Sequence, residues 1–229
     1  MTRARDLADS ADKDIAGTLT LDGLTVDGGN IKLDGNYPTG TNNVALGDAA
    51  LDNGSLTGGY NTAIGSSALS DATSGNSNIA VGFQTLRYAT TAAGNVSVGV
   101  NAMRDNTSGG SNIAVGQDAL RSNTTASYNT AVGYQAGYST TTGTRNVVMG
   151  RGAMHSNSTG SYNVGLGYEA LVSNTTASEN TAVGYTSLYT NTTGTQNVAV
   201  GKDTLFDNTT GSYNTALGME ALANNTTAD

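Results

Sequence analysis

Asn112-Ile113-Ala114-Val115-Gly116-Gln117-Asp118-Ala119-Leu120-Arg121-Ser122-Asn123-Thr124-Thr125-Ala126-Ser127-Tyr128 is followed by Asn129-Thr130-Ala131-Val132-Gly133, which starts the same pattern again. The opening asparagine recurs at Asn43, Asn61, Asn78, Asn95, Asn112, Asn129, Asn146, Asn163, Asn180, Asn197 and Asn214. The first step is 18 residues and every later step is 17. A unit repeated eleven times at a fixed period is the signature of a stacked repeat architecture.

The columns of this repeat carry the fold. Counting the opening asparagine as position 1, position 2 is always β-branched, from Val44 and Thr62 to Val198 and Thr215. Position 3 is small, usually Ala. Position 4 is always apolar, from Leu46 to Leu217, and position 5 is Gly in every unit. Alternating residues of a strand point to opposite faces, so positions 2 and 4 share one face and position 3 takes the other. Neither face carries a charge, and burial on both faces is the pattern of parallel stacking. The invariant Gly and the β-branched residues work against a helix. The repeat therefore predicts an all-β chain, a parallel β-solenoid of eleven 17-residue coils. Its defining positions are represented by Asn129, Val132 and Gly133, by Asn180, Val183 and Gly184, and by Asn197, Val200 and Gly201.

Within the coil, Gly at position 5 marks a turn with positive φ or a close backbone approach. An Ala-Leu pair at positions 8 and 9 suggests a second short strand. Asn-Thr-Thr-Gly-Ser supplies turn chemistry to close the coil. Stacked one strand spacing apart, eleven coils make a rod about 50 Å long. The position-1 asparagines then form a ladder of side-chain amides along it.

Composition narrows the function. Charged residues are 12% of the chain and the net charge is −8, so the clustered Lys and Arg of a nucleic-acid interface are missing. The absence of Cys and the single His155 exclude a disulfide framework and a Cys/His zinc site. No run approaches the length of an apolar membrane helix, and the N-terminal residues lack the apolar core of a secretory signal. No phosphate-binding Gly loop, Gly-Gly-x-Gly-x-Asp calcium repeat or Ser-His-Asp set is visible. The sequence thus predicts no catalytic, cofactor or metal site and no membrane insertion.

Each coil offers about three large apolar side chains for seventeen residues to be ordered, which makes for a thin core. With positions 2 and 4 read as the core, the small, uncharged position-3 face is expected to pack against other copies. A homotrimer is the economical arrangement and a lone solenoid is the alternative.

The copies at Asn129-Thr130-Ala131-Val132-Gly133 and Asn180-Thr181-Ala182-Val183-Gly184 resemble the head repeat of trimeric autotransporter adhesins of the YadA type. That family has a shorter repeat forming a left-handed parallel β-roll, three chains to a head. The longer form from Asn129 to Ala136, and the opening segment from Thr18 to Gly29, resemble bacteriophage tail-fibre proteins. The resemblance covers about residues 17–229. It implies a left-handed roll, a homotrimer, and a structural or adhesive role in a virion tail, with a bacterial surface adhesin head as the alternative. It implies attachment to other tail proteins through the N-terminus and a host glycan or protein receptor as a possible partner.

Three segments are expected. Residues 1–16 form an N-terminal attachment segment, helical or disordered. Residues 17–42 form short strands starting the shaft, punctuated by Asp22-Gly23, Asp27-Gly28 and Asp34-Gly35. Residues 43–229 form the solenoid, whose last loop ends at Asp229 where a cap or continuation is expected.

Candidate chemistry lies in the variable columns. His155 reads as a surface loop residue. Asp48, Asp118, Glu169, Asp203 and Glu220 follow the Gly and read as an acidic surface stripe, with a glycosidase carboxylate pair as the minor alternative. Tyr134, Tyr168 and Tyr185, with Phe83, recur after the Gly and are candidate surface-binding aromatics. Tyr60, Tyr128, Tyr162 and Tyr213 recur before the asparagine. Asn123, Asn174, Asn191 and Asn208 match the N-glycosylation acceptor, though turn formation explains them better. The paired threonines also resemble ice-binding arrays, although they sit in a loop and not on a flat strand. The expected function is a non-catalytic fibre segment presenting a host-attachment surface.

Overall fold

The computed structural model describes residues 41–228. The expectations for residues 1–16 and for strands within 17–35 lie outside them. Eleven three-residue strands follow in chain order: β1 (Val44–Leu46), β2 (Thr62–Ile64), β3 (Ile79–Val81), β4 (Val96–Val98), β5 (Ile113–Val115), β6 (Thr130–Val132), β7 (Val147–Met149), β8 (Val164–Leu166), β9 (Thr181–Val183), β10 (Val198–Val200) and β11 (Thr215–Leu217). They form one sheet in sequence order, every pair parallel. Register follows the repeat: Ile113 pairs with Thr130, Ala114 with Ala131 and Val115 with Val132. The described chain is a β-solenoid, as the period predicts, and contains no helix.

The inside and the outside are reversed from the expected assignment. Position 3 points into the coil: Ala63, Ala80, Ala114, Ala131, Ala182 and Ala199 are fully buried. Positions 2 and 4 point out, with Ile113 at 42% and Val115 at 37% exposure. The reason is width. In nine of the eleven coils the interior holds a large side chain supplied by position 9 from the opposite wall: Leu51, Leu69, Leu86, Met103, Leu120, Met154, Leu171, Leu188 and Leu205, none above 1% exposure. A small residue on the strand is what fits against it. At Gly165 even a Cβ would come within 3.1 Å of Met154 Cγ. Conversely, position 9 lacks a side chain at Gly137, and one coil later the strand centre is the larger Val148. Such trading of volume is how a close-packed interior stays filled.

The expected second strand is also replaced. Positions 8 and 9 are turns, and Leu120 takes the left-handed conformation at φ 47. The coil from Asn112 to Tyr128 is bent by three non-glycine left-handed residues, Asp118 (φ 56), Leu120 and Tyr128 (φ 63), and the preceding coil by Asn101, Met103 and Ser111 at the same positions. Each such residue carries a local cost of about 1–2 kcal/mol. What offsets it is that the backbone remains laddered: Leu120 N–H donates to Ala136 O one coil on, at 3.0 Å. The position-5 glycine meets both conditions read from the sequence. Gly133 has φ 134, and a Cβ there would lie 2.6 Å from Gly150 O of the next coil.

The asparagine ladder is present and buried. Asn112 Oδ1 accepts the Asn129 backbone N–H at 2.9 Å, and Asn129 Nδ2 donates to Gly143 O at 2.8 Å. A second ladder runs through position 12, read from the sequence only as turn chemistry. Asn174 donates to Asn157 Oδ1 (2.9 Å), Asn191 to Asn174 (3.1 Å) and Asn208 to Asn191 (3.0 Å). A third is made by hydroxyls: Thr124 Oγ1 donates to Thr141 O at 3.1 Å, and Thr141 Oγ1 to Ser158 O at 3.0 Å. Buried polar groups are tolerated when they are paired, and the rungs named here pair with the next, although Thr140 stands between Asn123 and Asn157 and interrupts the second ladder.

Candidate functional site

In-register stacking places equivalent side chains one coil apart, about 4.8 Å. That is close to the separation at which planar groups stack, so neighbouring aromatic and guanidinium groups lie face to face like pages.

The candidate aromatics after the glycine do share one column. Tyr134, Arg151, Tyr168, Tyr185 and Lys202 occupy it in consecutive coils. The Tyr168 and Tyr185 rings stack at 5.0 Å with 8° between planes. The Arg151 guanidinium lies 5.9 Å from the Tyr134 ring and 5.3 Å from that of Tyr168. Arg151 also donates to Tyr168 Oη and to Glu169 Oε1, each at 2.9 Å. The Tyr168 phenol is held above the ordinary value of 10.0, first by its hydrogen bond with Glu169 and next by desolvation, against the opposing field of Arg151.

A second column holds Tyr128, Arg145 and Tyr162, with Arg145 at 5.3 and 5.4 Å from the two rings. A third, at position 10, was not singled out from the sequence, although a 17-residue count through His155 finds it. It pairs Tyr138 with His155 (5.0 Å, 2°) and Tyr189 with Phe206 (4.9 Å, 5°). Arg121 caps the first pair and hydrogen-bonds Tyr138 Oη. Arg87 and Arg104 continue this column downward, and Asp105 holds the Arg104 guanidinium above its usual range through a side-chain hydrogen bond.

This geometry changes what Tyr168 and Tyr185 can do. Sugar recognition by an aromatic ring uses its face, and each of these two faces the other. The other face of Tyr168 looks on Arg151, and that of Tyr185 on Lys202, 6.0 Å from its centroid. His155, likewise, is a stacking partner half covered by its column.

The carboxylates are spread along the solenoid. Asp118 lies 3.7 Å from Arg121, Glu169 2.9 Å from Arg151, and Asp203 3.4 Å from Lys202. Asp203 and Glu220 occupy adjacent coils and line a shallow depression of about 420 Å³ with Phe206, Asp207, Ala223 and Asn224. Among the described residues no group of three His, Asp or Glu could hold a metal ion, and no helix is long and apolar enough to cross a membrane. Asn123, Asn174, Asn191 and Asn208 are fully buried ladder members, so the folded coil does not present them for glycosylation.

An uncharged surface runs along the outward strand face. It includes Val44, Leu46, Ile64, Ile79, Ile113, Val115, Val147, Met149, Val198 and Leu217, all exposed. Positions 2 and 4 contain no charged residue in any of the eleven strands. Compared with protein-family models, curated proteins and solved structures, the chain matches none.

Proposed function

We propose that this chain is a non-catalytic, homotrimeric fibre segment of a bacteriophage tail, giving the fibre length and rigidity and presenting a surface for host attachment. The observation that carries this reading is the unbroken ladder. Backbone, asparagine and threonine hydrogen bonds all run from coil to coil, and resistance to bending is what they supply. The likeness of the Asn129–Ala136 unit to tail-fibre repeats supports the virion location, and its likeness to the YadA-type repeat supports the trimer and a left-handed roll. On this reading residues 1–16 join other tail proteins, and a glycan or protein on the host cell is the distal partner.

Two measurements test it. Solution mass is expected at three times the 23.0 kDa of one chain, and a monodisperse single-chain mass removes the trimer. Labelled antibody against the chain is expected to decorate tail appendages of intact virions. Capsid and tail genes found beside its own would agree with that location, whereas an outer-membrane anchor encoded downstream would move the protein to a bacterial surface.

A further inference from the structure

We infer that copies of this chain meet through the outward face of β1–β11, the columns from Val44 to Thr215 and from Leu46 to Leu217, and not through the small-residue face, which lines the coil interior. This inference rests on the homotrimer reading and specifies its interface.

The face is long and uncharged, and apolar except for Thr62, Thr130, Thr181 and Thr215. Strands of three residues are about 10 Å across, and eleven of them at one strand spacing extend about 50 Å. The flat area is about 500 Å², at the upper range of what monomers leave exposed. Side-chain relief and the next column, with Phe83, Val100 and Tyr134 also exposed, bring it towards the roughly 800 Å² per partner of a stable interface.

Charge selects the occupant's approach. The chain carries a net −8, so two copies repel across most orientations. Across positions 2 and 4 they meet with no like charges opposed, and Asp48, Arg151 and Lys202 of the next column fall at the rim. Periodicity selects the occupant itself. The face repeats at every coil, and a partner must repeat at the same interval to stay in contact along its length. A second copy does so. Aligned in parallel around an axis along the stack, equivalent coils meet at one level, and cyclic symmetry closes the assembly. Val115 of one copy then faces Val115 or its near neighbours in the next.

The chain has no cysteine, which makes cross-linking clean. In Val115→Cys, oxidation is expected to give inter-chain disulfide dimers on denaturing gels. In Thr125→Cys, whose exposed side chain lies in the closing loop, it is expected to give none. Ile113→Glu with Val115→Glu is expected to lower the solution mass threefold to a single chain while the β-sheet circular dichroism is kept, since both side chains point away from the core. If the native chain is oligomeric but the double glutamate variant stays so and only Thr125→Cys cross-links, the face is wrong and the homo-oligomer stands. A native chain that is monomeric overturns both.

Discussion

Asn78 is bound twice to Asn61: its backbone N–H and its side-chain Nδ2 both donate to Asn61 Oδ1, at 3.0 and 3.1 Å. One oxygen thus fixes both the height and the rotation of the next coil. The same double bond joins Asn146 to Asn129, at 2.9 and 3.1 Å. Asn129→Ala removes that acceptor and leaves Gly143 O without its donor. At about 1–3 kcal/mol per stranded buried group, the loss is expected to be about 3 kcal/mol in denaturant unfolding. A cost under about 1 kcal/mol would show that water replaces the rung.

Gly133→Ala meets two obstacles at once, a φ of 134 and a Cβ placed 2.6 Å from Gly150 O. The expected destabilisation is about 3 kcal/mol or more. The exposed loop change Thr142→Ala is expected to stay within about 0.5 kcal/mol. Thermal melts of the pair make the comparison.

Interior volume is shared between position 9 and the strand centre one coil later. Ala182→Val is therefore expected to cost about 2 kcal/mol by overpacking beside Leu171. Leu171→Ala is expected to cost about 3 kcal/mol by opening a cavity. Combined, they are expected to recover about 1 kcal/mol or more against the sum, a coupling that a double-mutant cycle measures. Strict additivity would mean the two sites do not share space.

Alkaline titration tests the Tyr168 column. A raised folded-state value means the neutral phenol is favoured by folding. That contribution is complete below the ordinary tyrosine value of 10.0 and is lost as pH rises through the higher folded value. The ultraviolet difference titration between the native chain and Tyr168→Phe is expected to show a midpoint above 10.0. Glu169→Gln removes the first cause of the shift and is expected to lower that midpoint. An unmoved midpoint would deny the Glu169 contact.

Much of this fold could be read from the chain because a repeat prints its constraints eleven times. The stacking interval, the parallel register, Gly133 and the Asn129 ladder all recur in fixed columns. What was reversed is the sense of the strand. Alternation at Ile113-Ala114-Val115 separates two faces but does not say which is enclosed. That depends on coil width, set by Leu120 reaching across from the other wall. The second strand failed because a left-handed Leu runs against residue preference, and only tertiary packing of its side chain sustains it. Sequence marks Asn123 and Asn174 as turn formers, and Asn123 Oδ1 accepts the Ala126 N–H at 3.0 Å within its turn. Their second role as a buried ladder needs neighbouring coils to be seen. For the surface, the shared column of Tyr134, Tyr168 and Tyr185 was legible from spacing. The orientation of their rings, which decides what they can bind, was not.

The first coil spans 18 residues, yet Val44 still pairs with Thr62 in the common register. Its closing turn holds Asn53-Gly54-Ser55, where Asn53 Oδ1 accepts the Ser55 N–H at 3.0 Å. An added residue is taken up there without disturbing the strand. The chain thus has two kinds of indel tolerance. Single residues can enter a closing loop, while the rod itself grows or shrinks only by whole coils, about 4.8 Å at a time. Recombination between homologous units conserves the backbone and position-1 asparagine ladders by construction, so its length can drift in quantised steps while its cross-section stays constant.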